Sequence, residues 1–343
     1  MKPFGGACVG TLRETCHSLG AGTARPFLVA LSIIIPSFNR LWSLPKAIDS
    51  CRSTTCSHEI IVVDDGSSDG TSAWLATQPD VIAIRTENWG KDWAVNTGFA
   101  RAQGQYVRFL DSDDWLEPRA NDAQIAIAEE TGADIVLGDY RTFDDRTGVS
   151  TGATLAPNDD FIAQQLGEGE YSHYSAFLFR RAFIKDIPHR PEFLAVDDRM
   201  FVLEAALRHP RLATYSGVVL VHRHHDRGRL QAPITMQAEI PIVRAEHAIY
   251  RKVTAQLQEH NELTERRRRA LASLLWPLAH RMARHDLEEA VDIVREVYRL
   301  DPAFEIPGTG LLPALYRRCS FRLVSLLLRA RRQLVWPLED LRR

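Results

Sequence analysis

Three carboxylates stand within four residues at Asp111-Ser112-Asp113-Asp114, directly after the apolar stretch Tyr106–Leu110. Carboxylates at i and i+2 of a turn can converge on one hard cation, and Mg²⁺ or Mn²⁺ held in this way bridges to substrate phosphates. A solvated Asp-rich turn has the same composition; the position at a strand end is what favours the metal. A second cluster, Asp64-Asp65-Gly66-Ser67, closes the run Ile60-Ile61-Val62-Val63. An ionised carboxylate there can accept a hydrogen bond from a nucleobase imide or a ribose hydroxyl. A third pair, Asp197-Asp198, precedes Met200, Phe201 and Leu203. The dipole of a helix N-terminus favours negative charge at such a place.

The elements around these clusters alternate. Leu28–Ile35 is a continuous apolar run ended by Pro36, the pattern of a strand buried on both faces of a parallel sheet. Leu44–Cys51 has helical spacing, Thr71–Thr77 reads as a short helix and Val81–Ile84 as a strand. Ala94–Ala102 is helical, Tyr106–Leu110 is a strand, and helix Asn121–Glu130 leads to strand Asp134–Leu137. This alternation predicts an α/β fold with a mostly parallel, doubly wound sheet flanked by helices. Ligands of open α/β sheets sit at the carboxyl ends of strands, so the clusters at 64–67 and 111–114 should face one crevice. The segment 140–235 is less regular, with apolar runs at Ala176–Phe179 and Val218–Val221. Beyond residue 236 the strand signal ends. Ile249, Val253 and Leu257 share a helical face, and Asp286 with Glu289 forms a capping box. The expected organisation is a poorly ordered extension over 1–27, a main domain over 28–235 and a separately organised helical region over 236–343.

Composition narrows the class. The chain has 343 residues, 45% hydrophobic and 25% charged, with a net charge of −2. A disordered or collagen-like chain is thereby excluded, and a dedicated nucleic-acid binder would be more basic. Residues 1–235 hold 23 basic and 30 acidic side chains, against 19 and 14 in residues 236–343. An acidic front and a basic back therefore sum to near zero. The cysteines at 8, 16, 51, 56 and 319 form no CxxC pair and suit reduced thiols in a cytosolic protein better than a disulfide framework. No run approaches the roughly 18–20 apolar residues of a membrane span, and residues 1–26 lack the apolar core of a signal peptide.

The ordered series Ser32-Ile33-Ile34-Ile35-Pro36-Ser37-Phe38-Asn39-Arg40, Ile61-Val62-Val63-Asp64-Asp65-Gly66-Ser67-Ser68-Asp69-Gly70, Asn88-Trp89-Gly90-Lys91, Asn96-Thr97-Gly98 and Phe109-Leu110-Asp111-Ser112-Asp113-Asp114 resembles a family 2 glycosyltransferase. The resemblance covers about residues 31–118. It implies a GT-A fold, a nucleotide-sugar donor, Mn²⁺ or Mg²⁺ and inverting sugar transfer. Carried over by position, Pro36 and Phe38 would lie at the nucleoside pocket and Asp65 would hydrogen-bond the base. Asp111 would reach the donor ribose and, with Asp113, the metal-bound diphosphate; Asp114 is an additional candidate. Where many members have Ala-Arg-Asn, this chain has Ala94-Val95-Asn96. The Arg is missing, and Lys91 takes the place of a Gly-Lys variant whose cation neutralises the diphosphate; Asn96 keeps its place in the donor-binding set. Asp198, in Val196-Asp197-Asp198-Arg199-Met200-Phe201, matches the general base that takes the acceptor proton. In His222-Arg223-His224-His225, Arg223 and His225 best match a Tyr-Arg-x-His segment, and a neutral His225 imidazole would complete the metal shell beside Asp113. Gly228 stands where the family has Ser.

Residues 314–343 carry eight Arg against Glu339 and Asp340, interleaved with leucines and Trp336. A basic amphipathic helix of this kind suits either the anionic inner face of the plasma membrane or packing on the main domain. What the resemblance implies is a cytoplasmic enzyme, peripheral at most, passing a sugar from a nucleotide-sugar donor of the UDP class to a saccharide or lipid-linked acceptor in surface polysaccharide or glycolipid synthesis. Two competitors use the same carboxylates. A nucleotidyltransferase would need a Gly-rich phosphate loop after the first strand, which Pro36-Ser37-Phe38-Asn39-Arg40 is not. A non-catalytic sugar-nucleotide scaffold would tolerate loss of Asp111, Asp113 or Asp198, yet all three are present.

Overall fold

The structure is a computed structural model that describes residues 29–155, 158–169, 172–227 and 236–339. The extension expected over 1–27, and Gly228, lie outside the described residues. The elements run β1 (Leu31–Ser37), α1 (Leu44–Cys51), β2 (His58–Asp64), α2 (Thr71–Leu75), β3 (Val81–Arg85), α3 (Lys91–Arg101), β4 (Tyr106–Phe109), β5 (Trp115–Leu116) and α4 (Ala120–Thr131). They continue through β6 (Ile135–Asp144), β7 (Ser150–Ala153), α5 (Phe161–Gln165), β8 (Leu178–Arg180), α6 (Arg181–Ile184), α7 (Asp197–Ala206) and β9 (Leu212–His224). Five helices follow: α8 (Met236–Glu259), α9 (Glu265–Met282), α10 (Leu287–Leu300), α11 (Leu311–Arg318) and α12 (Phe321–Glu339).

The strands form one sheet in the order β3-β2-β1-β4-β8-β6-β9-β5, with β7 on β6. Every residue of β1 is buried, as its unbroken apolar run requires of a central strand. It lies between β2 and β4, both parallel to it, with Ser37 opposite Asp64 and Ile34 opposite Phe109. That register brings the carboxyl ends of β1, β2 and β4 to one edge. Past β4 the sheet is mixed: β8 is antiparallel to β4 and β6, and β6 is parallel to β9. The short β5 pairs antiparallel with β9, Trp115 opposite Val221. This pairing carries Asp113-Asp114, just before β5, to the histidines that end β9.

Helices cover both faces. On one, Leu44, Ala47, Ile48 and Cys51 of α1 pack with Ile125 and Ala128 of α4. The other face meets α3 and α7. There Gly98 permits close approach, since a Cβ on it would stand 2.6 Å from Ile34 Cγ2. The region after 236 is helical, as its spacing predicts. Asp286 caps α10, accepting from the N–H of Glu288 and Glu289 at 2.9 and 3.0 Å. Its core is not separate, however: Val243, Ile249, Leu271 and Ile293 join Phe109, Phe179, Met200 and Phe201 in one cluster.

Candidate active site

The edge built by β1, β2 and β4 starts with two carboxylates that shape loops. Asp64, at the end of β2, accepts from Arg85 Nη1 at 2.6 Å and from the N–H of Ser67 at 3.0 Å. Asp65 is buried. Its Oδ1 accepts from Thr86 Oγ1 and the Trp89 N–H, and its Oδ2 from the Gly90 N–H at 2.8 Å. The base contact expected of Asp65 would have to use the remaining capacity of Oδ2, since Asp65 already ties the loop that precedes α3. Pro36 is buried inside β1, whereas Phe38 just beyond it is 41% exposed. An exposed ring at this edge offers a face for stacking.

Lys91 opens α3 and aims back at the strand ends, its Nζ 2.6 Å from Asp111 Oδ1. Burial opposes the ammonium charge, but Asp111, Asp198 and Asp113 together hold its pKa above the ordinary value. Burial likewise opposes the Asp111 carboxylate, and Lys91 with His173 overrides it, bringing Asp111 down to about 2. A second cation, Arg40, lies with Nε 3.8 Å from Asp113 Oδ2. Asn96, expected to touch the donor, meets the backbone of His189. Its Nδ2 donates to the carbonyl of His189 at 2.8 Å and its Oδ1 accepts the His189 N–H at 2.9 Å. Both ends of the amide thus clamp α3 to the 187–190 turn, and the donor contact expected of Asn96 would have to use the remaining capacity of the same amide.

Two carboxylate–imidazole groupings flank this edge. In the first, His225 Nε2 lies 3.0 Å from Asp113 Oδ2. The His225 ring is buried and stands edge-on to Trp42 at 4.8 Å, and its Nδ1 is buried with no hydrogen-bond partner. Arg223 and Arg227 lie over Trp42, 4.8 and 4.5 Å from its ring centre, so cation–π contacts hold the end of β9 beside α1. In the second, Asp114, His173 and His222 offer three ligand atoms within 4.8 Å of one another. Asp114 is buried, and its two oxygens meet His222 Nδ1 at 3.0 Å and the Arg223 N–H at 2.8 Å. Burial lowers His173 to about 4, keeping it neutral at physiological pH. The fully buried Arg108 steadies the segment bearing His173, donating to the Ser175 carbonyl at 2.7 Å and to Asn121 Oδ1 at 2.6 Å. Carboxylate oxygens with imidazole nitrogens are an N/O donor set that suits Mn²⁺, whereas Mg²⁺ prefers oxygen alone.

The N-terminus of α7 brings the third acidic pair to the same edge. Asp197 faces inward and is taken by His189 Nδ1 and the Arg190 N–H; His189 Nε2 meets the Tyr174 hydroxyl at 2.7 Å. Asp198 is the less buried of the two and receives the Arg199 N–H at 2.8 Å. Burial raises its pKa; Lys91 opposes that shift, while Asp111 and Asp197 add to it. Asp92 stands beside them, and burial with the proximity of Asp197 pushes its carboxyl up to about 8. A carboxyl raised in this way can keep its proton and donate it in a hydrogen bond to Asp197.

Lys91, Asp111, Asp113 and Asp198 thus share one electrostatic neighbourhood, with His225 against Asp113 and Phe38 at its rim. Arg40, Asp92 and His173 join the site without any signal in the sequence. Arg40 ends the motif that begins at Ser32 but lies outside its recognised positions, Asp92 is one residue past Lys91, and His173 sits in an irregular stretch without periodicity. His222 stood in the histidine tetrapeptide, and only the β5–β9 pairing separates its role from that of His225.

Comparison with known proteins bears on this geometry. The family described as Glycosyl transferase family 2 matches residues 32–188. The "Putative glycosyltransferase EpsH" of Bacillus subtilis (strain 168) is 28% identical over 256 residues, covering 70% of this chain and 72% of that protein. The undecaprenyl-phosphate 4-deoxy-4-formamido-L-arabinose transferase of Yersinia pestis is 39% identical over 116 residues, which is 31% of this chain and 35% of that protein. Among solved structures, residues 1–349 of S. aureus TarS in complex with UDP-GlcNAc share the fold with a TM-score of 0.59 at 19% identity, over 88% of this chain and 92% of that one.

Proposed function

Because this chain is a family 2 glycosyltransferase of GT-A fold, we propose that it transfers a sugar from a UDP-sugar to a hydroxyl of a saccharide or lipid-linked acceptor, with inversion at the anomeric carbon. The observation that carries this reading is the Lys91–Asp111 contact of 2.6 Å inside the field of Asp113 and Asp198. It joins a cation for the diphosphate, carboxylates for ribose and metal, and a carboxylate base at one sheet edge.

Phe38 stacks on the nucleobase, and Asp111 accepts a ribose hydroxyl. Lys91 and Arg40 lie where negative charge builds on the leaving nucleotide, so both stabilise that charge. Asp113 and His225 would hold the divalent ion: Asp113 is partly exposed to the crevice, whereas Asp114 is shut in by His222 and Arg223. A bound Mn²⁺ or Mg²⁺ supplies Lewis-acid stabilisation of the diphosphate. Asp198 takes the proton from the acceptor hydroxyl as its oxygen attacks the anomeric carbon. A single displacement by that route inverts the carbon. The Yersinia relative's name, with its undecaprenyl phosphate, supports a lipid-linked acceptor and a place in building a surface polysaccharide or glycolipid.

A panel of nucleotide sugars, UDP-GlcNAc first, assayed for hydrolysis and transfer with and without Mn²⁺, tests the reading. Metal-dependent release of UDP from at least one donor is expected. Absence of turnover and binding for every donor, or turnover of a nucleoside triphosphate with a sugar phosphate instead, would overturn it.

A further inference from the structure

The exposed face of α12 has no counterpart in the chemistry above. Leu323, Leu326 and Leu327, spaced i, i+3 and i+4, are 49%, 47% and 57% exposed. Adjacent α11 adds Leu311 and Leu312, the former 78% exposed. Residues at this spacing share one helical face. The helix is not free to turn that face inward. Phe321 and Val324 on its other side are buried in the common core, and Arg329 Nε donates to the Ala283 carbonyl at 2.7 Å. Arg322 pairs with Glu288 at the start of the stripe.

We propose that this face docks on an anionic lipid bilayer, the leucines entering the acyl boundary and the exposed arginines beside them meeting lipid phosphates. Charge decides between this occupant and a second copy of the chain. Residues 311–330 contain Arg317, Arg318, Arg322 and Arg329 and no carboxylate, and Arg317, Arg318 and Arg322 are exposed. A two-fold contact through the stripe would set these arginines against their own copies, whereas an anionic membrane attracts them. An apolar groove of about 470 Å³ between α10 and α12 opens next to the stripe, rimmed by Arg295, Arg299 and Arg322. No described helix is long and apolar enough to cross a membrane, so the contact is interfacial. Apolar burial and charge attraction act together in such binding.

The test is co-sedimentation of the full chain with phosphatidylcholine vesicles, with and without phosphatidylglycerol, at low and high salt. Binding is expected with phosphatidylglycerol, falling at high salt. The triple variant Leu323→Gln, Leu326→Gln, Leu327→Gln should lose about tenfold or more in vesicle affinity. Circular dichroism and UDP-sugar hydrolysis in solution should be unchanged, which separates a failure here from a failure of the donor reading. Equal binding by the variant, or no binding to phosphatidylglycerol vesicles, would overturn the proposal. So would a wild-type dimer in sedimentation analysis that the triple variant dissolves.

Discussion

At the scale of single residues, the balance around Asp198 sets how the reaction should answer to pH. A base must be ionised, and burial with Asp111 and Asp197 raises the Asp198 pKa while Lys91 restrains it. Turnover is therefore expected to fall on acidification through a pKa above the ordinary Asp value of about 3.9. Removing the restraining cation by Lys91→Met should shift that acid limb further up and weaken donor binding; a pH profile of turnover and a UDP titration read both. A limb that stays in place would separate Lys91 from Asp198. The two imidazole groupings are told apart in the same way. His225→Ala should lower Mn²⁺ affinity by about 10–100-fold, the usual cost of disturbing a metal's surroundings, in a calorimetric titration with UDP present. A larger loss from His173→Ala would move the ion to the Asp114 grouping.

Elements place these residues, and here packing is the controlling variable. α3 carries Lys91 and Asp92 and approaches β1 through Gly98. Gly98→Val should destabilise the fold by about 1–3 kcal/mol through overpacking against Ile34, and lower activity as Lys91 is displaced, as thermal melts and donor titration would show. Asp286→Ala, which uncaps α10, should cost about 1 kcal/mol with donor binding intact. The elements that hold the site were largely legible in the sequence. Period and end signals marked β1, α1, β2, α3 and β4, because both faces of a central parallel strand are apolar and its end is abrupt. The second half of the sheet was legible only in part: the strand Asp134–Leu137 and the apolar runs Ala176–Phe179 and Val218–Val221 mark pieces of β6, β8 and β9, but not their extents or pairing. β5 has two residues, β6 extends past its apolar start to Asp144, and β8 is three residues long; none of these has a period to read. The pairing of β5 with β9 is a tertiary fact, and on it depends which histidine meets which carboxylate.

Over the whole molecule, the acidic front and basic back of the sequence are parts of one body. Phe109, Phe179 and Phe201 of the sheet layer share their core with Val243, Ile249, Leu271 and Ile293 of the helical region. Ending the chain at residue 235 should therefore expose that shared surface and give an aggregating, non-cooperatively melting product; a soluble truncation with a sharp melt would show the core to be divisible. The carboxylates, meanwhile, collect at one edge of the sheet, where cations of α3 and the β1 loop meet them. Whether that edge carries out transfer, with Asp198 as its base, is tested most directly by comparing wild type and Asp198→Asn for UDP binding with Mn²⁺ and for sugar transfer. Binding should be equal while transfer falls by about 10²–10⁴, the usual contribution of a positioned base; undiminished transfer by Asp198→Asn would contradict the account.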